Sequence, residues 1–400
     1  MSESATAIPI LGIRLGVACA GIKYANRRDL VLLEVAPGTS CAAVFTRNAF
    51  CAAPVTVAKQ NLSITAPRYL VINTGNANAG TGQQGLDAAA ATCSAVAAIG
   101  SCRAEEVLPF STGVIGEPFP IDRLSAALPG AFAGLSEAGW NDAAWGIMTT
   151  DTRPKLVSRQ LSSPGGPITI TGIAKGAGMI KPDMATMLAF IATDAELQRP
   201  LLQNCLENAV AGSFNAITVD GDTSTNDACV LLATGQSDIR IQEEDALYPA
   251  FVEILQDLCV ELAQALIRDG EGATKFITIC VEQGHDASEC RQVAYTVAHS
   301  PLIKTAFFAS DPNWGRILAA VGRSGLDQLS LERIIVYLDE VCIVRNGGRS
   351  SDYNEALGQA VMKRTDITIR IQLGRGTAAA KIWTTDLSHD YIRINAEYRT

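Results

Sequence analysis

Strand-like and helix-like stretches alternate along this chain, and that alternation limits its possible folds more than any single residue does. Short β-like runs fill the first sixty residues: LVLLEV, CAAVFTR and APVTVA. YLVINTG, ending at Gly75, reads as a buried strand that enters a loop rich in glycine and asparagine. The alanine-rich LDAAAATCSAVAAIG, Leu86 to Gly100, reads as a helix closed by Gly100. A further short strand ends at Thr112–Gly113, and residues 121–145 look helical, broken by glycines. SSPGGP, Ser162 to Pro167, is a hairpin-type turn between VSRQL and ITITGIAKGAG. A helix is expected from about Glu196. Another carries Ile254, Leu258, Leu262 and Leu266 on one face, with Leu255 and Cys259, and ends at Asp269–Gly270. GEGATKFITICVEQ leads into a strand, and residues 287–307 and 313–321 are again helical. From Ile334 onward the pattern is β: RIIVYLDEVCIVRNGG, DITIRIQLGRG, AAAKIWTTDL and YIRINAEYRT. Such an order suits an α/β or α+β fold with helices covering sheets. Four hundred residues exceed one small core and predict two or three compact units.

At the centre lies KGAGMIKPDMATMLAFIATD, Lys175 to Asp194. Glycines at 176 and 178 allow close approach of backbone N–H groups to a ligand. The chain turns at Pro182 and enters an apolar run at Thr186, just after the small Ala185. A hydroxyl at a loop-to-strand junction stays accessible, which suits a nucleophile. If the Ala185–Thr186 bond breaks, Thr186 gains a free α-amine beside its own hydroxyl. That amine, with an unperturbed pKa of about 7.7–8.0, can serve as general base near neutral pH. The spacing alone favours an ordinary strand threonine after a Gly–Pro loop.

Composition excludes several classes. The net charge of −9 with no basic run disfavours nucleic acid and anionic membrane surfaces as partners. At 6% aromatic, the chain also lacks the makings of a base-stacking surface. No window reaches the roughly 18 apolar residues of a membrane helix, and no basic segment precedes the first apolar stretch, so no signal peptide is read. Eleven cysteines are scattered without a C-x-x-C pair, which reads as reduced, mostly buried thiols in a cytoplasmic protein. The three histidines have no metal-ligand spacing, and no metal is expected. TVDGDTSTND opens like a calcium loop at Asp220, Asp222 and Ser224, but has Thr225 and Leu231 where Gly and Glu are required. It reads instead as a polar wall. NTGNANAGTG is open to two readings, a ligand loop or a set of structural turns. Thr112 and Gly113 could stabilise an oxyanion with a hydroxyl and a backbone N–H, or could simply end a strand.

These stretches, taken in order, resemble the ornithine acetyltransferase family, the ArgJ-type glutamate N-acetyltransferases of arginine biosynthesis. The resemblance is carried by the Lys175–Asp194 segment and by NTGNANAGTG, STGVIGEP, MTTDTRPK and TVDGDTSTND. GEGATKF, SDPNWGRI and the closing NAEYRT continue it to the last residue. Several aligned motifs are far more specific than one glycine-rich match. The resemblance implies an α/β/β/α sandwich of the self-cleaved, N-terminal-nucleophile-like kind. Cleavage at Ala185–Thr186 would give an α chain, 1–185, and a β chain, 186–400, interleaved in one body, with two copies of each assembling. It implies Thr186 as nucleophile, Thr112 and Gly113 as oxyanion hole, and Thr152, Lys175, Thr186, Glu271, Asn395 and Thr400 as substrate-binding residues. One pocket for N2-acetyl-L-ornithine and L-glutamate must hold their shared α-carboxylate, for which Lys175 is a suitable cation. No cofactor is implied, although many members also take acetyl-coenzyme A as a co-substrate. Ala177 and Asp183 depart from the Ser and Asn of many relatives, close to the expected cleavage point. Two other readings compete. One is a self-processed aminopeptidase or amidohydrolase, in which water takes the acyl group. The other is a nucleotide binder using GIAKGAG, which lacks the G-x-x-x-x-G-K-[ST] spacing.

Overall fold

Two continuous apolar strands, Leu188–Thr193 and Ala228–Ala233, have every residue buried, as strands covered on both faces require. They run parallel, side by side, at the centre of a five-stranded sheet. Its order is Ser40–Phe45, Ala228–Ala233, Leu188–Thr193, Gly166–Lys175 and Lys155–Ser163. All its other pairings are antiparallel. The structure, a computed structural model, describes residues 7–181 and 187–398. It divides into two compact units, one of Met1–Met179, Asp183–Asn215 and Asp222–Leu266, the other of Ile180–Pro182, Ala216–Gly221 and Ile267–Thr400.

In the first unit a second sheet holds Ile13–Ala18, Leu30–Val35, Tyr69–Asn76 and Val107–Val114 in that order. The last two strands are parallel. Alternate side chains of this sheet, among them Leu15, Val31, Leu33, Ile72 and Phe110, form one core with Ile173, Phe190, Val230 and Leu232 of the five-stranded sheet. Phe110 meets Phe190 edge to face at 5.1 Å, a preferred aromatic geometry. The opposite residues, Leu30, Leu32, Val71 and Val107, bury against Cys93 and Val96 of helix Gly82–Gly100 and Leu124 and Leu128 of helix Ile121–Ala133. Beyond the five-stranded sheet lie helix Arg199–Ala211 and the long helix Leu247–Arg268. Leu258 and Leu262 of the latter come so close to Gly172 that a Cβ there would lie 3.1 Å from each. Helix, sheet, sheet and helix therefore stack in the first unit as the expected α/β/β/α layers. Each buried Leu, Ile, Val or Phe contributes about 1.5–3 kcal/mol.

The second unit has a six-stranded sheet in the order Gly348–Arg349, Val341–Arg345, Ile335–Leu338, Asp366–Gln372, Phe276–Gly284 and Ala378–Thr385. DITIRIQ buries Ile367, Ile369 and Ile371 on one face, the period-two pattern of a half-covered strand. Helix Ala287–Ala298 packs on Phe276–Gly284 and Ala378–Thr385. Asp286 caps it by accepting the Glu289 N–H at 2.9 Å.

Four local readings are corrected. APVTVA is not a strand but the start of helix Ala53–Ile64. Its buried Pro54, Val55, Ala58, Asn61 and Leu62 keep helical spacing, and a proline in the first turn suits a helix better than a sheet. YIRIN is likewise helical, within His389–Ala396, because the Ser388 side chain accepts the Tyr391 N–H and starts a helix. The region after Ile334 also holds helix Glu355–Met362, so it is less purely β than expected. Gly100 lies inside its helix rather than closing it, and Ser101 takes the left-handed cap at φ +51°. Gly100 instead makes room for the Tyr69 ring, since a Cβ there would lie 2.4 Å from a ring carbon. All eleven cysteines are free thiols, six of them buried. Among the described residues no helix is long and apolar enough to cross a membrane. None of them forms a cluster of three or more His, Cys, Asp or Glu able to hold a metal.

Candidate active site

Of the residues singled out above, Thr112, Gly113, Thr152 and Lys175 belong to the first unit, and Glu271 and Asn395 to the second. Ala185, Thr186 and Thr400 lie outside the described residues, as does Asp183. Each unit assembles its own group.

In the first unit Lys175 is the last residue of strand Gly166–Lys175, opposite Leu188 in the sheet. Its ammonium donates to Thr112 Oγ1 at 2.8 Å, and both residues are buried. Thr112 and Gly113 sit near the end of Val107–Val114, in register with Thr74 and Gly75 of the parallel neighbour. The approach is so close that a Cβ on Gly113 would lie 2.3 Å from the Gly75 carbonyl carbon and 2.5 Å from the Asn76 nitrogen. With φ at +135°, only glycine fits here without strain.

Beneath Lys175 is a buried ion pair that sequence reasoning missed. Asp151 Oδ1 accepts from Lys155 Nζ and from the Gly176 N–H at 2.8 Å. Asp151 Oδ2 accepts the Thr149 N–H at 3.0 Å. Burial alone would push the Asp151 carboxyl up, but Lys155 and Lys175, helped by the Gly176 N–H, outweigh burial and hold it below the ordinary value. Thr152, next in sequence, is exposed. MTTDTRPK carries the resemblance, but only the fold pairs Asp151 with Lys155 and with the glycine after Lys175.

The polar wall resolves into main-chain clamps. Asn226 Nδ2 donates to the carbonyls of Ala77 at 2.7 Å and Ser111 at 2.9 Å, fixing the strand just before Thr112. Asp227 is wholly buried and accepts the Met187 N–H at 2.9 Å. Among the described residues its other oxygen has no hydrogen-bond partner. Burial, only partly offset by the Met187 N–H and Lys175, raises this carboxyl well above its ordinary value. The asparagines of NTGNANAGTG are similarly committed. Asn73 Nδ2 reaches the Asn76 carbonyl at 2.8 Å, and Asn78 Nδ2 the Gly85 carbonyl at 2.9 Å. That favours the structural reading of the loop.

In the second unit Glu271 is buried and accepts from Asn395 Nδ2 at 2.7 Å. Asn395 also donates to the Tyr391 carbonyl at 3.0 Å, one helical turn back. Tyr391 OH in turn donates to Asp220 Oδ2 at 3.2 Å, while Asp220 Oδ1 accepts the Ile180 N–H at 3.0 Å. His299 Nε2 lies 3.0 Å from Thr218 Oγ1. Burial, then the nearby cations Lys181, Lys304 and Arg323, bring its pKa down to about 4. The ring is therefore neutral near pH 7 and hydrogen-bonded to Thr218.

A family model described as the ArgJ family matches residues 14–400. The "Arginine biosynthesis bifunctional protein ArgJ" of Methylococcus capsulatus is 60% identical over 393 residues, covering 98% of this chain and 96% of the relative. The protein of the same name from Pseudomonas fluorescens is 55% identical, covering 98% and 97%. Among solved structures, a crystal structure of "Arginine biosynthesis bifunctional protein argJ" from Bacillus halodurans is 37% identical, with a TM-score of 0.50. It covers 52% of this chain and 98% of that one.

Proposed function

This chain belongs to the ArgJ family, and from that premise we propose that it transfers the acetyl group of N2-acetyl-L-ornithine to L-glutamate through an acetyl–Thr186 intermediate. The relatives are named bifunctional proteins of arginine biosynthesis. We carry both activities over, so that acetyl-coenzyme A also serves as acetyl donor to glutamate. The substrates are small molecules. The finer proposals are cleavage at Ala185–Thr186, two copies of each resulting chain, and action in the cytoplasm without a resident cofactor.

The observation that carries the reading in the structure is the buried contact of Lys175 with Thr112, beside a glycine whose Cβ would collide with the neighbouring strand. Oxyanion stabilisation needs fixed donors in a water-poor place, and Thr112 and Gly113 supply a hydroxyl and an N–H on a strand locked by Asn226. In the reaction the freed α-amine of Thr186 takes the hydroxyl proton as Oγ attacks the acetyl carbon. The carbonyl π pair moves to oxygen. As it returns, the C–N bond breaks and ornithine leaves with the proton. The glutamate amine then attacks the ester, yielding N-acetylglutamate and regenerating the Thr186 hydroxyl. Thr152, Lys175, Glu271, Asn395 and Thr400 are carried over as the substrate-binding set. Glu271 with Asn395 suits an amino acid, since the pair offers a carboxylate for an ammonium group and an amide for a carboxylate. Support for cleavage comes from length. The 185- and 215-residue pieces would be 46% and 54% of this chain, and the Bacillus halodurans chain covers 52% of it.

The test is to mix purified protein with N2-acetylornithine, with and without glutamate. N-acetylglutamate forming only with glutamate, and an acetyl mass on the peptide beginning at Thr186 without it, support the proposal. Release of acetate at the same rate whether or not glutamate is present would favour the hydrolase reading instead.

A further inference from the structure

We propose that Lys175 acts through Thr112: its ammonium occupies the acceptor side of the Thr112 hydroxyl, and the two work as one charge-assisted oxyanion donor. The inference rests on the acetyl-transfer reading above and gives Lys175 a task different from anchoring the substrate carboxylate.

The direction of the 2.8 Å contact is fixed by chemistry. An ammonium has donors and no acceptor, so Thr112 Oγ1 must accept. The hydroxyl then has its single proton left to give elsewhere. Lys175 and Thr112 are 2% and 6% exposed, so water competes little for either end. A cation bonded to the oxygen of a hydroxyl polarises its O–H, and in a low-dielectric site that strengthens the next bond in the chain.

Both partners stand on rigid supports, as a precise donor requires. Lys175 ends a paired strand, and the next peptide N–H, that of Gly176, is held by Asp151. The Asp151 carboxylate, itself bound by Lys155, offsets positive charge that would otherwise be costly to bury. On the other side, Ser111 O is pinned by Asn226, and Val107–Val114 pairs along its length with Tyr69–Asn76. When Thr186 Oγ adds to the acetyl carbon, the carbonyl π pair becomes the oxyanion and accepts the Thr112 proton in a hydrogen bond. That proton stays on Thr112, and no bond to Lys175 forms or breaks. As the pair returns, the C–N bond breaks as before.

A carboxylate anchor and a polariser respond differently to substitution. The experiment measures the acetylation half-reaction under single-turnover conditions for wild type, Lys175→Met, Thr112→Val and the double variant. Donors are N2-acetylornithine and its carboxamide, N2-acetylornithinamide. Losing an oxyanion donor costs about 10²–10³-fold, and a charge-assisted bond is about twice as strong as a neutral one. Lys175→Met is thus expected to slow the chemical step by about 10- to 30-fold, equally with both donors. The double variant should be no slower than Thr112→Val within about twofold. A loss confined to the half-saturation concentration, present with the acid and absent with the carboxamide, would overturn the inference. So would losses that multiply in the double variant. Chain cleavage and thermal midpoint are read on the same samples. If Lys175→Met does not fold, Lys175→Gln, which keeps an N–H donor without the charge, enters the same comparison with the same two outcomes. A wild-type protein that transfers no acetyl group at all refutes the functional reading and is recognised before any variant is made.

Discussion

Replacing Gly113 by alanine adds one carbon, and the structure says what that carbon meets. The built Cβ would lie 2.3 Å from the Gly75 carbonyl carbon, 2.5 Å from the Asn76 nitrogen and 2.7 Å from Gly75 Cα. All three are backbone atoms of the paired strand, so no rotamer relieves the overlap, and the strands must part by about an ångström. The φ of +135° adds its own strain of about 1–3 kcal/mol, and overpacking adds about 1–3 more. Together these come to about 2–6 kcal/mol, and at about 2–4 °C per kcal/mol for a large domain the thermal midpoint should fall by about 4–24 °C. Activity should suffer more, since an ångström of displacement at a reacting centre costs about 10²-fold. Gly116→Ala is the matched control. Its φ is +84°, but nothing lies within 4 Å of a Cβ there, so it carries the backbone term alone. Circular dichroism melts and acetyl-transfer rates on both variants decide the matter. Equal midpoints for the two would refute the argument that strand contact dictates glycine at 113.

Three further outcomes are expected. Asp151→Asn removes the carboxylate that pairs with buried Lys155 and should cost about 3–5 kcal/mol by denaturant titration. Because the folded Asp151 pKa is depressed, its contribution is complete above the unfolded value of about 3.9 and lost as pH falls through the lower folded value. The wild type should therefore lose, on acidification below about pH 4, stability that the variant has already lost. Asp227 has the opposite sign: its raised pKa means the folded state keeps a proton the unfolded state releases, so stability is lost as pH rises above about 3.9. Asp227→Asn should gain on wild type as pH rises above about 4, and a gap independent of pH would disprove a neutral Asp227. Deleting Asn395 to Thr400 removes the partner of Glu271 Oε2; transfer should weaken or vanish while the precursor still yields two bands on a denaturing gel, and unchanged transfer kinetics would take the tail out of the site.

What could be read in advance was whatever has a local period or a local signal. The hairpin of Lys155–Ser163 and Gly166–Lys175 announces itself through SSPGGP, and the long helix through its Leu258, Leu262 and Leu266 stripe. APVTVA misled because β-branched residues dominate a six-residue window, while the helical spacing becomes visible only out to Leu62. YIRIN misled because alternating isoleucines outweighed the Ser388 cap three residues before Tyr391. Thr112 and Lys175 were named from motif resemblance, yet nothing in either motif says that one side chain bonds the other across 63 positions. Asn226 reaches Ala77 across 149 positions and Ser111 across 115, and Asp227 reaches Met187 across 40. Such clamps join side chains to distant main chain and leave no trace in local composition.

The five-stranded sheet takes strands from both sides of position 186, pairing Gly166–Lys175 with Leu188–Thr193 and Ser40–Phe45 with Ala228–Ala233. Cutting the chain there would turn a unimolecular folding problem into a bimolecular one. The precursor brings these strands together at no cost in concentration, but the two severed pieces, once unfolded, must find each other in solution. Their exposed strand edges would also be free to pair with the wrong neighbours. Recovery of the mature protein from denaturant should thus depend on protein concentration, while that of an uncut Thr186→Ala precursor should not. A precursor cut there would then act as an assembly device, its continuity needed once.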